Sequence, residues 1–240
     1  AWGWRAVYVV SAALAALLAW VLARRLPHRR LPVADLTYWA LLRSLYALMA
    51  REPVLRVRGM IALLMFAAIS AFWTALVLPL SAPPYALSHT AIGAFGLVGV
   101  LGVLMAARAG RWADRGLGQR TTAAGLLLLC LAWAPIALLP YSLWALALGV
   151  LILDVALQAL HVTNQTMIFS ISAQAHSRLV GAYMMFYAVG SGLGAIASTA
   201  VYARAGWSGV CVLGAGISLA ALLFWAATLP RKAAAHAARC

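Results

Sequence analysis

Seven stretches of the chain run for about twenty residues each with scarcely a charged side chain: Val7 to Ala23, Gly59 to Leu80, Thr90 to Ala107, Thr121 to Leu139, Leu143 to Gln165, Leu179 to Tyr202 and Val210 to Leu229. About 20 apolar residues is the length of helix that crosses a bilayer. In lipid a helix is also the one open-chain form that satisfies its own backbone. The chain is therefore predicted to be an all-α polytopic membrane protein. Composition agrees, with 66% hydrophobic and 9% charged side chains against roughly 25% charged in soluble domains.

A formal charge of +14 would suit a nucleic-acid binder, but the positions of the basic residues exclude that reading. Arg24, Arg25, Arg29, Arg30, Arg43, Arg51, Arg56 and Arg58 lie between the first two windows. Arg108, Arg111, Arg115 and Arg120 lie between the third and fourth, Arg178 between the fifth and sixth, and Arg231, Lys232 and Arg239 in the tail. Only Arg5 and Arg204 fall on the opposite side. Lys and Arg collect in cytoplasmic loops, so alternate loops and the C-terminus are expected in the cytoplasm, with the lipid bilayer as the surrounding medium and no nucleic-acid partner.

Four regions follow. Residues 1–23 form a first transmembrane helix, 24–58 a cytoplasmic connection, 59–229 a six-helix bundle and 230–240 a cytoplasmic tail. The connection carries PHRRLP and then Tyr38, Leu41, Leu42, Leu45, Leu48 and Met49 at helical spacing, with Arg43 and Arg51 on other faces. This is the pattern of a basic amphipathic helix on the cytoplasmic leaflet or of a linker helix between two bundles. The chain opens on AWGWRAVY without an initiator Met, so a preceding N-terminal part is expected. Cys130, Cys211 and Cys240 suggest no disulfide framework, and no cofactor or metal motif is present.

Polar residues inside the windows carry the functional signal. Asp35, Glu52 and Asp114 sit in predicted loops, which leaves Asp154 as the one acid within a span. It lies about eleven residues into its helix, roughly 16 Å from the end and near the bilayer midplane. A carboxylate there costs at least about 2.5 kcal/mol and normally faces a cavity. Asp154, Gln158, His161 and Gln165 fall within about 60° of one another on a helix, with Asn164 slightly to the side. The stripe reads either as a substrate-facing surface with a protonatable carboxyl, or as a hydrogen-bonded lock between helices. For Asp154 the cost of burying an ionisable group favours the first.

Gly96 to Gly102 (GLVGVLG) and Gly190 to Gly194 (GSGLG) have the small-residue spacing of close helix packing. Tyr183, Met184 and Tyr187 begin the second of these helices, where the two tyrosines are candidates to line a pocket. The loop GRWADRGLGQR, residues 110–120, sets Asp114 among Arg111, Arg115 and Arg120 in a glycine-rich turn. Such charge pairing at helix ends suits a gate, with Gly110, Asp114, Arg115 and Arg120 as its candidates. A contrasting reading is an intramembrane serine hydrolase with Ser191 as nucleophile and His161 as base, for which no orienting group or oxyanion donor is identifiable.

GRWADRGLGQR resembles the loop motif Gly-x-x-x-Asp-Arg-x-Gly-Arg-Arg of the major facilitator superfamily. Gly110, Asp114 and Arg115 match, Gly118 comes one residue late and Gln119 replaces a basic residue. REPVLRVRG in the long loop is similar to the middle of such transporters. HVTNQTMIF and SRLVGAYMMFYAVGSGLGA are similar to the tenth and eleventh helices of a bacterial drug:proton antiporter-like branch. The resemblance covers helix six to helix twelve, a six-helix half-bundle preceded by one extra helix, with the N-terminal half of the same transporter as its partner. It implies a secondary transporter of the bacterial inner membrane working by alternating access, and no enzyme. Proton-coupled efflux of small amphipathic molecules is the expected activity, with proton-driven import of a small metabolite as the alternative. Asp154 would then couple protons or contact substrate, and Ser70, Trp73 and Thr74 would face the cavity from helix seven.

Overall fold

In this computed structural model the described residues are 4–25, 38–172 and 175–229, and they are helical throughout apart from short turns. PHRRLP, Asp35 and the basic tail lie outside them. The chain divides into two units, Ala1–Leu41 and Leu42–Cys240.

The first unit holds α1, Trp4–Arg25. It is apolar on every face, with Tyr8, Leu14, Leu18 and Trp20 exposed, as suits a lipid-facing helix. Helix α2, Tyr38–Arg51, begins in this unit and continues into the second.

The second unit starts from the C-terminal part of α2. Leu45, Leu48 and Met49 pack on a cluster formed by Leu55, Ala62, Ile168, Leu179 and Tyr183. This face of the predicted amphipathic helix therefore lies on protein, while Arg43 and Arg51 point outward. Helix α3, Pro53–Ser81, begins at a proline, whose ring removes a donor that would be unpaired at a helix start in any case. Glu52 before it is extended, as the residue ahead of proline prefers.

Helix α4, His89–Trp112, is capped by Ser88, whose hydroxyl accepts from the Ala91 N–H at 3.3 Å. A π turn, Ala113–Leu117, then redirects the chain at Gly116, with φ 78° and ψ 6°. It leads into α5, Gly118–Leu131, and the short α6, Trp133–Ala137. Helix α7, Leu143–Phe169, is capped by Ser142. Helix α8, His176–Thr228, is broken at Gly206, φ 60° and ψ −156°, a conformation almost confined to glycine. It is two arms, 176–205 and 207–228. All seven apolar windows are thus helical, and the 53-residue segment accounts for two of them.

Contacts fix how the arms run. A Cβ at Gly190 would strike the Leu63 carbonyl, one at Gly194 would strike that of Ala67, and the Ser198 hydroxyl donates to Ala71 O at 2.7 Å. Each step of four in α8 meets a step of four in α3, so the first arm is parallel to α3 and very close to it, as the GxxxG spacing predicts. The second arm turns back along α5. Trp207 Nε1 donates to Ile136 O at 3.1 Å, Trp133 Nε1 to Ser218 Oγ at 2.9 Å, and Trp225 Nε1 to Gln119 Oε1 at 2.9 Å. Between these helices lies a core of Met65, Phe72, Leu126, Leu129, Ile136, Leu146 and Leu153. At Gly96, by contrast, a Cβ would meet nothing within 4 Å.

Candidate functional site

Helix α7 carries the predicted stripe, and the structure divides it. Asp154 is the twelfth of its 27 residues and only 7% exposed, so it is midway along the helix and withdrawn from the surface. No described residue hydrogen-bonds to its carboxyl. Gln158, one turn on, is half-buried. A further turn brings His161, whose Nδ1 lies 3.1 Å from the Tyr183 hydroxyl and whose Nε2 lies 3.3 Å from the Gln165 side-chain amide. Both ring nitrogens are thereby engaged within this group.

Asn164 leaves the stripe entirely. It is fully buried, and its Oδ1 is 3.5 Å from Arg58 Nη1. The same guanidinium nitrogen donates to Thr122 Oγ1 at 2.7 Å. Thr122 in turn donates to Gly118 O at 2.8 Å. One arginine thus joins α3, α5 and α7. Tyr183 of α8 approaches α7 through His161, whose Nδ1 its hydroxyl meets. Two polar atoms in this region are buried without a hydrogen bond, Thr163 Oγ1 and Asn164 Nδ2.

Arg58 is a correction to the sequence reading, which placed it in the cytoplasmic connection with the other loop arginines. It is 2% exposed and belongs to the bundle interior. The apolar window misses the true helix start because REPVLRVR is rich in arginine. The overlooked signal is Pro53: a helix beginning there puts Arg56 and Arg58 in its second turn, about 200° apart. Arg56 faces out and Arg58 faces in. A buried cation without hydrogen bonds would be costly, so Thr122 and Asn164 are structurally required.

Around His161 the remaining neighbours are aromatic. Phe66 of α3 meets its ring edge-on, with centroids 5.4 Å apart, and meets Tyr187 at 4.3 Å in a similar T-shaped arrangement. Tyr183 is buried at 1% exposure, whereas Tyr187 is 40% exposed. On α3, Ser70 is half-buried, Trp73 packs edge-on against Phe72 at 5.2 Å, and Thr74 is exposed. Asp114, Arg115 and Arg120 of the expected gating loop are exposed at the π turn. Gly110 faces Val162 of α7. A hollow of about 420 Å³ beside this turn is lined by Asp114, Gln119, Thr166 and Ser170 together with Ala113 and Met167. The arrangement offers a withdrawn carboxyl at mid-helix and, about 10 Å along the axis, an imidazole in a hydrogen-bonded chain flanked by aromatic rings.

Comparison with known proteins gives consistent results. The family model described as Major Facilitator Superfamily matches residues 60–239. The transporter named YgaY in Escherichia coli is 41% identical over 234 residues, covering 98% of this chain and 59% of the relative. The transporter named SCO4007 of Streptomyces coelicolor is 32% identical over 238 residues, covering 97% of this chain and 53% of the relative. The chain therefore spans between half and three fifths of the length of these relatives.

Proposed function

The chain belongs to the Major Facilitator Superfamily, and from that premise we propose that it is the C-terminal part of a proton-coupled secondary transporter that exports small amphipathic molecules by alternating access. Residues 59–229 would be the six-helix half, with its first helix begun early at Pro53, residues 1–23 the last helix of the preceding bundle, and 24–52 and 230–240 segments on the cytoplasmic side of the inner membrane. The observation that carries the reading is Asp154: the one acid of the described helices that is buried at mid-span, with no hydrogen-bond partner among the described residues. An ionisable group held at that depth is costly and marks an ion or substrate pathway.

In this scheme Asp154 takes up and releases the coupling proton, Gln158, His161 and Gln165 continue the polar face of α7 beyond it, and Asn164 holds that helix to Arg58. Phe66 and Tyr187 give an aromatic surface to an amphipathic substrate, with Ser70, Trp73, Thr74 and Tyr183 as further lining. Gly110, Asp114, Arg115 and Arg120 gate the cytoplasmic end. Export is tested by accumulation of a fluorescent amphipathic substrate in cells carrying the complete protein, with and without an uncoupler. Lower accumulation in energised cells supports export; higher accumulation overturns it in favour of proton-driven import.

A further inference from the structure

We propose that an open groove between α2, α3 and the first arm of α8 is a binding site for one anionic phospholipid, with Arg56 and Tyr46 holding the headgroup phosphate and an acyl chain lying along Met60, Leu63 and Val189. The site needs only a chain that spans a membrane, and rests neither on export nor on proton coupling.

Two hollows join to make the groove. The first, of about 360 Å³, is lined by Tyr46, Met49 and Ala50 of α2, Arg56 and Met60 of α3, and Phe186 of α8. The second, of about 250 Å³, shares Met49 and Phe186 and continues to Leu63, Met185 and Val189. Gly59 shapes the join: a Cβ there would lie 2.5 Å from the Phe186 ring, so the ring rests on the bare backbone of α3 at the boundary of the two hollows. From Arg56 to Leu63 the groove runs about 10 Å along α3. Met185 and Val189 are each about half exposed and Tyr46 is mostly exposed, so it is open on its outer side. Three of its side chains are methionines, whose flexible thioethers fit themselves to an irregular apolar occupant.

Charge is confined to one end. Arg56 is exposed, and its guanidinium makes no hydrogen bond or ion pair among the described residues. Its backbone N–H bonds to Glu52 O at 3.1 Å, yet the two side chains form no ion pair. The Tyr46 hydroxyl, lining the same hollow, is likewise without a partner among the described residues. Both groups donate, and a guanidinium fork matches the oxygens of a phosphate. Arg56 lies three residues before the apolar window that begins at Gly59, which is the level of lipid headgroups, whereas Leu63 lies within the apolar run.

An amphiphile with a negative head and an apolar tail meets both conditions at once, and basic residues at the end of a membrane helix gather anionic lipids. A choline or ethanolamine head would set a further cation among Arg43, Arg51 and Arg56, all of them exposed. The comparable hollow between α4 and α7, about 370 Å³ and lined by residues such as Phe95, Leu143 and Trp144, has no charged side chain in its wall. It offers a headgroup nothing.

The test is native mass spectrometry of the complete protein, released from detergent micelles that contain equal amounts of phosphatidylglycerol and phosphatidylcholine with the same acyl chains. Wild type is expected to retain phosphatidylglycerol about fivefold over phosphatidylcholine, the usual weight of one arginine at an anionic surface. Arg56→Gln is expected to bring that ratio close to one. Arg51→Gln, whose side chain does not line the groove, should leave it unchanged. Met185→Trp, which fills the groove from its exposed side, should lower the retention of phosphatidylglycerol with Arg56 still in place. Equal retention of the two lipids by wild type overturns the proposal, as does a wild-type ratio in Arg56→Gln. Equal losses in Arg56→Gln and Arg51→Gln overturn it in favour of diffuse attraction to a basic surface. A groove covered by the rest of the transporter or by a second copy would leave Met185→Trp without effect, and that result overturns it too. If Arg56→Gln does not fold, the wild-type ratio and Met185→Trp decide.

Discussion

Ser198 on the first arm of α8 donates its hydroxyl to the Ala71 carbonyl of α3 at 2.7 Å, one turn beyond the place where Gly194 lies on Ala67. A side-chain oxygen reaches a neighbouring helix's backbone in this way only when the two axes are unusually close, and the two glycines make that approach possible.

Gly190→Ala and Gly194→Ala are accordingly expected to destabilise the protein by about 1–3 kcal/mol, the usual cost of overpacking. Gly192→Ala, where a Cβ would meet nothing within 4 Å, should not lower stability, since alanine is the better helix former. Thermal melting of the complete protein in detergent separates them. Equal melting of all three variants would mean that α3 and α8 are not in this contact.

The two positive-φ glycines should respond differently to asparagine. Gly116, at φ 78° and ψ 6°, sits in the left-handed region that asparagine tolerates, and open space surrounds it. Gly116→Asn should therefore melt within about 1 kcal/mol of wild type. Gly206, at ψ −156°, is in a region nearly closed to side chains, and Gly206→Asn is expected to lose about 1–3 kcal/mol. Similar melting of the two variants would contradict the assigned turn geometry.

Asp154→Asn keeps the shape of the side chain and removes its ability to ionise. Net proton-driven transport by the complete protein is expected to fall about tenfold or more, equivalent to ~1.4 kcal/mol. The dependence of the residual rate on pH should flatten, while substrate binding persists. Transport measured across a pH series checks this, and a wild-type pH profile in the variant would reduce Asp154 to a packing role.

The helices were legible because the bilayer demands long apolar runs and the charges between them alternate in number. Gly190 and Gly194 announce the closest contact, whereas the helix starts at Ser88, Ser142 and Pro53 went unread. Arg58 was hidden because hydropathy ends a span at the first cluster of arginines, whereas the backbone follows Pro53 and takes Arg58 inside. The departure of Asn164 from the stripe was equally invisible. An ideal helix puts it beside Gln165, but which neighbour it meets depends on the rotation of α3 and α5, set by packing that no local pattern encodes. The Tyr183–His161 pairing is legible only once α7 and α8 are adjacent.

Three indoles fasten the outer wall of the bundle: Trp207 to Ile136, Trp133 to Ser218 and Trp225 to Gln119. Sliding the returning arm of α8 by even one residue along α5 would strip all three N–H groups of their acceptors at once, and the two nearest the bundle interior would find no water to replace them. That wall is riveted like a plank. Any rearrangement of these helices would therefore have to carry the returning arm, α5 and α6 together as a single plate.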